Sequence, residues 1–231
     1  MAFAEALERL EERIRRACDR SGRAREEICL LGVSKFHSRD AVEEAWKNGI
    51  RFFGENRVQE GAKKFSGFRE TRPDAELHLI GSLQGNKART AASLFDCVQS
   101  LDRDSIIREL GKYAASGERP LKVLLELHTG EDSKRGFPDE ESLFRAAETA
   151  LSFPGLAPAG LMTMAPFTGA EERIRASFRA VAKAQVKLKS RFPETDWACL
   201  SMGMSNDFEI AIEEGATLIR IGTLLFGERG Q

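Results

Sequence analysis

The sequence predicts an α/β protein built as a closed (β/α)8 TIM barrel with one additional N-terminal helix. Three observations carry this expectation. Short strand-like apolar runs alternate with helix-length amphipathic stretches eight times, which implies a parallel sheet. The length of 231 residues suits eight such units and favours closure into a barrel over an open doubly wound sheet. No Pro/Gly/Ser-rich linker or low-complexity run divides the chain, so residues 1–231 read as a single domain.

The elements follow in order. In the opening stretch Phe3, Leu7, Leu10, Ile14 and Ala17 fall on one face by steps of three and four, and the pattern stops near Ser21-Gly22; this reads as a packing helix. Strands are expected at ICLLGVS (28–34), RFFG (51–54), ELHLIG (76–81), DCVQSL (96–101), LKVLLEL (121–127), GLAPAGLMTM (155–164), WACLSM (197–202) and TLIRIG (217–222). Helical segments are expected near 39–48, 56–66, 84–93, 103–115, 139–151, 169–189 and 205–214. In the longest of these, Ile174, Phe178, Val181 and Leu188 keep the helical period. In such a barrel, chemistry belongs at the C-terminal ends of the strands and in the loops just beyond them.

Composition narrows the function. Lys and Arg total 35 against 36 Asp and Glu, a formal net charge of -1, so no field gathers nucleic acid or an anionic membrane. With 42% hydrophobic and 31% charged residues the chain is of the globular type, and no apolar run approaches the roughly 20 residues of a membrane helix. The start mixes acids and bases without an apolar core, unlike a signal peptide, and a cytoplasmic location is expected. Cys18, Cys29, Cys97 and Cys199 form no C-x-x-C pair and read as reduced core residues. His37, His78 and His128 share no ligand spacing, so no metal site is expected.

The residues able to carry chemistry sit at strand ends. Lys35 follows the apolar run ICLLGVS, where partial desolvation lowers the pKa of an amine and lets it form a Schiff base with an aldehyde; a solvated loop lysine is the alternative. Strands seven and eight end in LSMGMSND and RIGTLLFG, which place Ser201, Gly203 and Ser205 before one helix and Gly222 and Thr223 after the last strand. Such small residues build a phosphate cup from backbone N–H groups, or merely turn the chain. Across a barrel mouth, the lysine and the cup together suit a phosphorylated aldehyde. Arg220, inside TLIRIG, needs a partner: either an acid such as Glu209 or a heteroatom of a ligand in the mouth. Asn56 and Gln84 cap helices or contact ligand. GSLQGNK (81–87) has the wrong spacing for a triphosphate loop. Ser133, Lys134, Arg135 and Gly136 form either an anion-binding or a solvated loop.

Taken in order, GVSK around Lys35, FGENRVQE (53–60), HLIGSLQGNK (78–87), EDSKRG (131–136), GLMTMAP (160–166), LSMGMSND (200–207) and RIGTLLFG (220–227) resemble the pyridoxal phosphate homeostasis proteins. These are single-domain relatives of the barrel domain of alanine racemase, and the resemblance runs from about residue 28 to residue 229. It implies a (β/α)8 barrel that holds pyridoxal 5′-phosphate as a Schiff base on Lys35. It further implies phosphate-binding positions at Ser201 with its neighbouring backbone, Gly203 included, and at Gly222-Thr223, with Arg220 beside the pyridine nitrogen and Asn56 and Met162 lining the pocket. One departure is His128, where the family's fifth strand usually ends in asparagine; Ser82 stands at a variable place and receives no role. The resemblance implies a carrier or regulator of vitamin B6 and amino-acid pools that is not an enzyme, with the small-molecule cofactor and apo pyridoxal-phosphate enzymes as partners, no nucleic acid or membrane, and a monomeric state. The alternative is a minimal pyridoxal-phosphate racemase or lyase. A racemase needs a second acid/base group on the opposite face, and the few residues after strand eight leave no room for one.

Overall fold

The computed structural model describes residues 3–114, 119–130 and 136–227. Ser133, Lys134 and Arg135, the anion-loop candidates, lie outside the described residues. Eight parallel strands close on themselves in sequence order: β1 Cys29–Val33, β2 Phe52–Glu55, β3 Glu76–Leu79, β4 Cys97–Leu101, β5 Leu121–Glu126, β6 Leu156–Met162, β7 Cys199–Ser201 and β8 Leu218–Ile221. Closure comes from β1 pairing with both β2 and β8, with Leu31 opposite Phe52 on one side and Arg220 on the other. Each expected strand is present, trimmed where its run passes into a polar loop.

The helices are α1 Phe3–Ser21, α2 Arg39–Lys47, α3 Val58–Lys64, α4 Phe68–Thr71, α5 Ala88–Leu94, α6 Asp104–Ala114, α7 Glu140–Leu151, α8 Glu171–Arg191, α9 Phe208–Glu213 and α10 Thr223–Phe226. The two single-turn helices α4 and α10 are too short to show a hydrophobic period, and sequence reading missed both. The helix expected over 205–214 begins only at Phe208, because the Met204 N–H donates to Asp207 Oδ1 at 2.6 Å and closes the preceding residues into a turn. No helix among the described residues is long and apolar enough to cross a membrane.

Alternation along each strand divides the interior into two layers. Outward residues such as Phe53, Val98, Val123, Ile219 and Ile221 join the helices in one continuous core that includes Phe68, Phe178, Trp197 and Phe208. Inward residues form smaller apolar clusters, Leu31 with Val33 and Leu218, and Cys97 with Leu124 and Met162. Phe3, Leu10, Ile14 and Ala17 of α1 are buried in the outer core, as their spacing predicts. Gly160 has φ +153°, and a Cβ there would stand 1.8 Å from the Cys199 carbonyl oxygen; its missing side chain lets β6 lie close to β7 and brings Met162 to the strand end. All four cysteines are free thiols, and burial pushes Cys29 up to about 12 and Cys199 up to about 11, so neither is a thiolate at neutral pH.

Polar groups also point inward. His78 is buried, its Nδ1 2.8 Å from Gln99 Nε2, and its Nε2 lies 3.5 Å from Glu76 Oε2. Glu76 in turn meets Lys122 at 3.4 Å. Burial depresses the His78 pKa despite the Glu76 carboxylate, so the folded protein refuses a proton that the unfolded chain accepts below about 6.5. Stability is therefore full above that value and falls as the pH drops through and below it. Glu76, held at about 2 by the His78 hydrogen bond and Lys122, adds a second loss only below about pH 4.5. Urea unfolding at pH 7.5 and 5.5 is expected to give the lower free energy at pH 5.5, and His78→Gln is expected to shrink that difference. An unchanged difference in the variant would assign the acid loss to another group.

Candidate functional site

A cavity of about 500 Å³ opens at the C-terminal ends of the strands. Lys35 after β1, Asn56 after β2, Met162 at the end of β6, Arg220 in β8 and Gly222 and Thr223 beyond it all line this cavity. The fold thus brings together six of the eight residues singled out from sequence. Gly81 closes one wall: a Cβ there would stand 2.2 Å from the Asn56 carbonyl oxygen, so only glycine lets the β3 loop pack on the Asn56 backbone.

Lys35 is half-buried and gripped through its neighbours. On its N-terminal side, Ser34 Oγ donates to Glu55 Oε1 at 2.7 Å, while the Ser34 carbonyl accepts from Lys64 Nζ at 2.6 Å. On its C-terminal side, the Phe36 N–H donates to Glu60 Oε1 at 2.7 Å, and Phe36 adopts φ 67°, a left-handed conformation that a bulky residue keeps only when its surroundings impose it. Lys64 joins the two carboxylates, at 2.7 Å from Glu55 and 3.1 Å from Glu60. Burial raises the pKa of Glu55. Partial burial alone would raise that of Glu60 too, but the Phe36 N–H and the Lys64 ammonium outweigh it and lower it. FGENRVQE therefore serves largely as a mount for Lys35, a role its spacing did not disclose.

Arg220 is 4% exposed. Its Nη1 donates to the Ser201 carbonyl and to Ser201 Oγ, each at 2.7 Å, and its Nη2 donates to the Thr163 carbonyl at 2.8 Å. The ion pair with Glu209 expected as one alternative is not formed: Glu209 binds Arg13 at 2.9 Å on the outer side, against α1. Two further expectations are corrected. Ser201 is wholly buried, with its hydroxyl taken up by Arg220 and by Gln99 at 2.6 Å, and it does not line the cavity. Gly203, at φ +92°, is packed so that a Cβ would stand 2.6 Å from Ala211 Cβ; it turns the chain behind the cavity. Ser205 and Asn206, three residues or fewer further on, line the cavity in their place, facing it together with Gly222 and Thr223. The segment after β7 thus reaches the cavity through Ser205 and Asn206 rather than through Ser201 or Gly203.

Sequence reading also missed Ser82, Asp102 and Glu126, which line the cavity. Asp102 and Glu126 are both buried and give the mouth two carboxylates to set against Lys35 and Arg220. Gln84 is exposed and makes no side-chain cap. His128 lines a separate cavity of about 750 Å³ beside α8, so the departure at that position does not alter the mouth. An amine, a buried guanidinium and two loops of small residues form a donor set for an anionic, phosphorylated carbonyl compound.

The barrel and its mouth define a class, and comparison with known proteins identifies it: the chain belongs to the alanine racemase N-terminal domain family, whose model matches residues 6–230. Within that class its relatives carry a narrower name. The pyridoxal phosphate homeostasis protein of Aquifex aeolicus is 39% identical over 229 residues, 99% of either chain. That of Vibrio cholerae is 41% identical over 226 residues, 96% of this chain and 94% of its own. Among solved structures, PipY of Synechococcus elongatus with PLP bound superposes with a TM-score of 0.83 at 34% identity, covering 97% of this chain and 100% of that one.

Replacing Lys64 by Met removes the cation from between two buried or half-buried carboxylates. The change is expected to lower stability by about 3–5 kcal/mol in urea unfolding, and Lys64→Met combined with Glu55→Gln is expected to recover much of the loss. Equal stability of wild type and the single variant would show that Glu55 is already neutral in the folded protein.

Proposed function

We propose that this chain, acting as one domain over residues 1–231, binds pyridoxal 5′-phosphate in the barrel-mouth cavity and serves homeostasis of that cofactor without substantial catalysis. The observation that carries the reading is the gathering of complementary groups in one cavity: Lys35 after β1, Arg220 in β8, and Ser205, Asn206, Gly222 and Thr223 in the loops after β7 and β8 all line it, on strands that pair side by side. The names of the relatives and the bound PLP of PipY support it.

The residues present fit the cofactor. A buried guanidinium has donors to spare, since its three hydrogen bonds use three of five N–H groups. Gly222 leaves the phosphate side open, because even a Cβ there would meet only Val33 at 3.5 Å. When bound, the cofactor supplies an aldehyde that captures amines and a ring that accepts electrons from carbon next to the captured nitrogen. Lys35 offers the capturing amine. Arg220 donates to the ring nitrogen and, having no acceptor, cannot take a proton from it. Small-residue loops bind the phosphate through backbone N–H groups.

One further feature supports weak catalysis. A donor-only partner at the ring nitrogen leaves the ring a weak electron sink. Asp102 and Glu126 are the observation that favours the second reading, a minimal racemase or lyase, since either carboxylate can serve as an acid or base. As part of the proposal, the protein is a cytoplasmic monomer that passes the cofactor to apo enzymes.

Borohydride treatment of the cofactor-loaded protein is expected to abolish its visible absorption and place the pyridoxyl mass on the peptide containing Lys35. Label on Lys64 or Lys87 would overturn the assignment, and brisk turnover of alanine or serine by the untreated protein would favour the second reading.

Gly222→Val, which crowds the phosphate side, is expected to lower affinity for pyridoxal 5′-phosphate on the order of tenfold, about 1.4 kcal/mol, and to affect pyridoxal much less. Equal losses for the two compounds would place the phosphate elsewhere.

A further inference from the structure

Arg220 meets three neutral oxygens, and one of them begins a chain of hydrogen bonds through the barrel interior. Ser201 Oγ lies 2.7 Å from Arg220 Nη1 and 2.6 Å from Gln99 Oε1. Gln99 Nε2 lies 2.8 Å from His78 Nδ1, and His78 Nε2 lies 3.5 Å from Glu76 Oε2. These groups stand on β8, β7, β4 and β3, and Ser201, Gln99 and His78 are all buried.

The direction of every link is dictated from one end. A guanidinium only donates, so Ser201 Oγ accepts from Arg220 and is left with one proton to give. That proton goes to Gln99 Oε1, which turns the amide so that Nε2 faces His78. An amide nitrogen also only donates, so His78 Nδ1 is an acceptor and the ring proton sits on Nε2, towards Glu76. The reversed amide would aim two donors at Ser201 Oγ and leave the hydroxyl proton without Gln99 as its acceptor, an unfavourable arrangement for a buried group.

We propose that Gln99 and His78 are positioning residues for Arg220. They form a one-way hydrogen-bond relay that holds the guanidinium at the ring-nitrogen side of the cavity and fixes His78 as its Nε2-protonated tautomer. The role rests on the proposed binding of pyridoxal 5′-phosphate; the direction of the relay does not. Each link orients the next donor, and the buried layer excludes water that would otherwise let Ser201 and Arg220 swing. Neither residue touches the cavity.

Two measurements test this. In the cofactor-free protein, nitrogen-15 NMR of the His78 ring is expected to show a bare Nδ1 and a protonated Nε2, and Gln99→Glu is expected to move the proton to Nδ1. A protonated Nδ1 in the wild type would overturn the relay whatever the protein binds. The second measurement compares pyridoxal 5′-phosphate with its 1-deaza analogue, which has a C–H in place of the ring nitrogen. Gln99→Met is expected to weaken binding of the first about tenfold and of the second less than twofold, measured at a temperature where the variant is fully folded, since the buried partners it leaves unpaired lower its stability. Equal weakening of both, or of neither, would overturn the positioning role. A wild-type protein that binds neither compound would overturn the proposed function, and with it Arg220's task, while the tautomer still decides the direction of the relay.

Discussion

Placing one guanidinium inside the mouth of a closed parallel barrel is the constraint around which the rest of this molecule is arranged. Arg220 comes from the middle of an apolar strand and is almost wholly buried. Burial lowers its pKa, although Asp207 and Glu126 oppose the effect; a guanidinium nevertheless keeps its charge. The cost of burying that charge is met without a directly bonded carboxylate, by two backbone carbonyls and a hydroxyl. Those carbonyls belong to Ser201 and Thr163, at the ends of neighbouring strands, so the site exists only once β6, β7 and β8 are in register. Gly160 and Gly203, neither of which touches the cavity, serve that register: one allows β6 to lie on β7, and the other turns the chain so that Arg220 N–H can bond the Gly203 carbonyl at 2.9 Å.

Lys35 presents the complementary problem, since a flexible amine must be aimed from the end of a strand. The structure spends its carboxylates on the backbone either side of the lysine. Glu55 grips Ser34, Glu60 grips Phe36, and Lys64 supplies the countercharge for both. One consequence is the left-handed Phe36, held by a hydrogen bond from its own N–H. Strain at this point, between strand end and helix, fixes where the Lys35 side chain leaves the backbone. The segment that carries Lys35 is thereby anchored on both sides, while Arg220 is held by its own side-chain bonds.

The barrel was legible in the sequence because parallel strands covered on both faces are written as continuous apolar runs, and because the helices between them keep a single period. Lys35, Gly222 and Thr223 were legible because strand ends are punctuated by glycine and small hydroxyls. The choice of Ser201 over Ser205 failed for a local reason: in LSMGMSND both follow β7 closely, and only the turn closed by Asp207 decides which of them faces the cavity. Gln99 and Ser201, bonded across 102 residues, left no trace in any spacing, and neither did the mount made by Glu55, Glu60 and Lys64. Glu209, an acid at a helix start, was a reasonable partner for Arg220 by sequence and is excluded by geometry, because it lies on the outer face with α1. Side-chain partners between strands are set by register, and register is a property of the closed sheet.

A cofactor carrier and a racemase make opposite demands on the same barrel. Both need an amine to hold the aldehyde and a cup for the phosphate, but only the enzyme gains from withdrawing electrons into the ring and from a second base on the far face. Under the proposed function, the arrangement around Arg220 answers the first of these demands and declines the second. Its inward hydrogen bonds run away from the cavity through Ser201, Gln99 and His78, so no acid reaches the ring nitrogen by this route. Asp102 and Glu126 remain as the carboxylates of the mouth. Under the proposed function, a Lys35 displaced by an incoming amine would take up the hydrogens that this amine gives up, so exchange would balance without a further group. Reversible capture thus needs nothing beyond Lys35 itself, whereas racemisation needs a second group on the opposite face. Under the proposed function the mouth of this barrel would hold and exchange the cofactor, and Asp102 and Glu126 would be the groups on which any further chemistry drew.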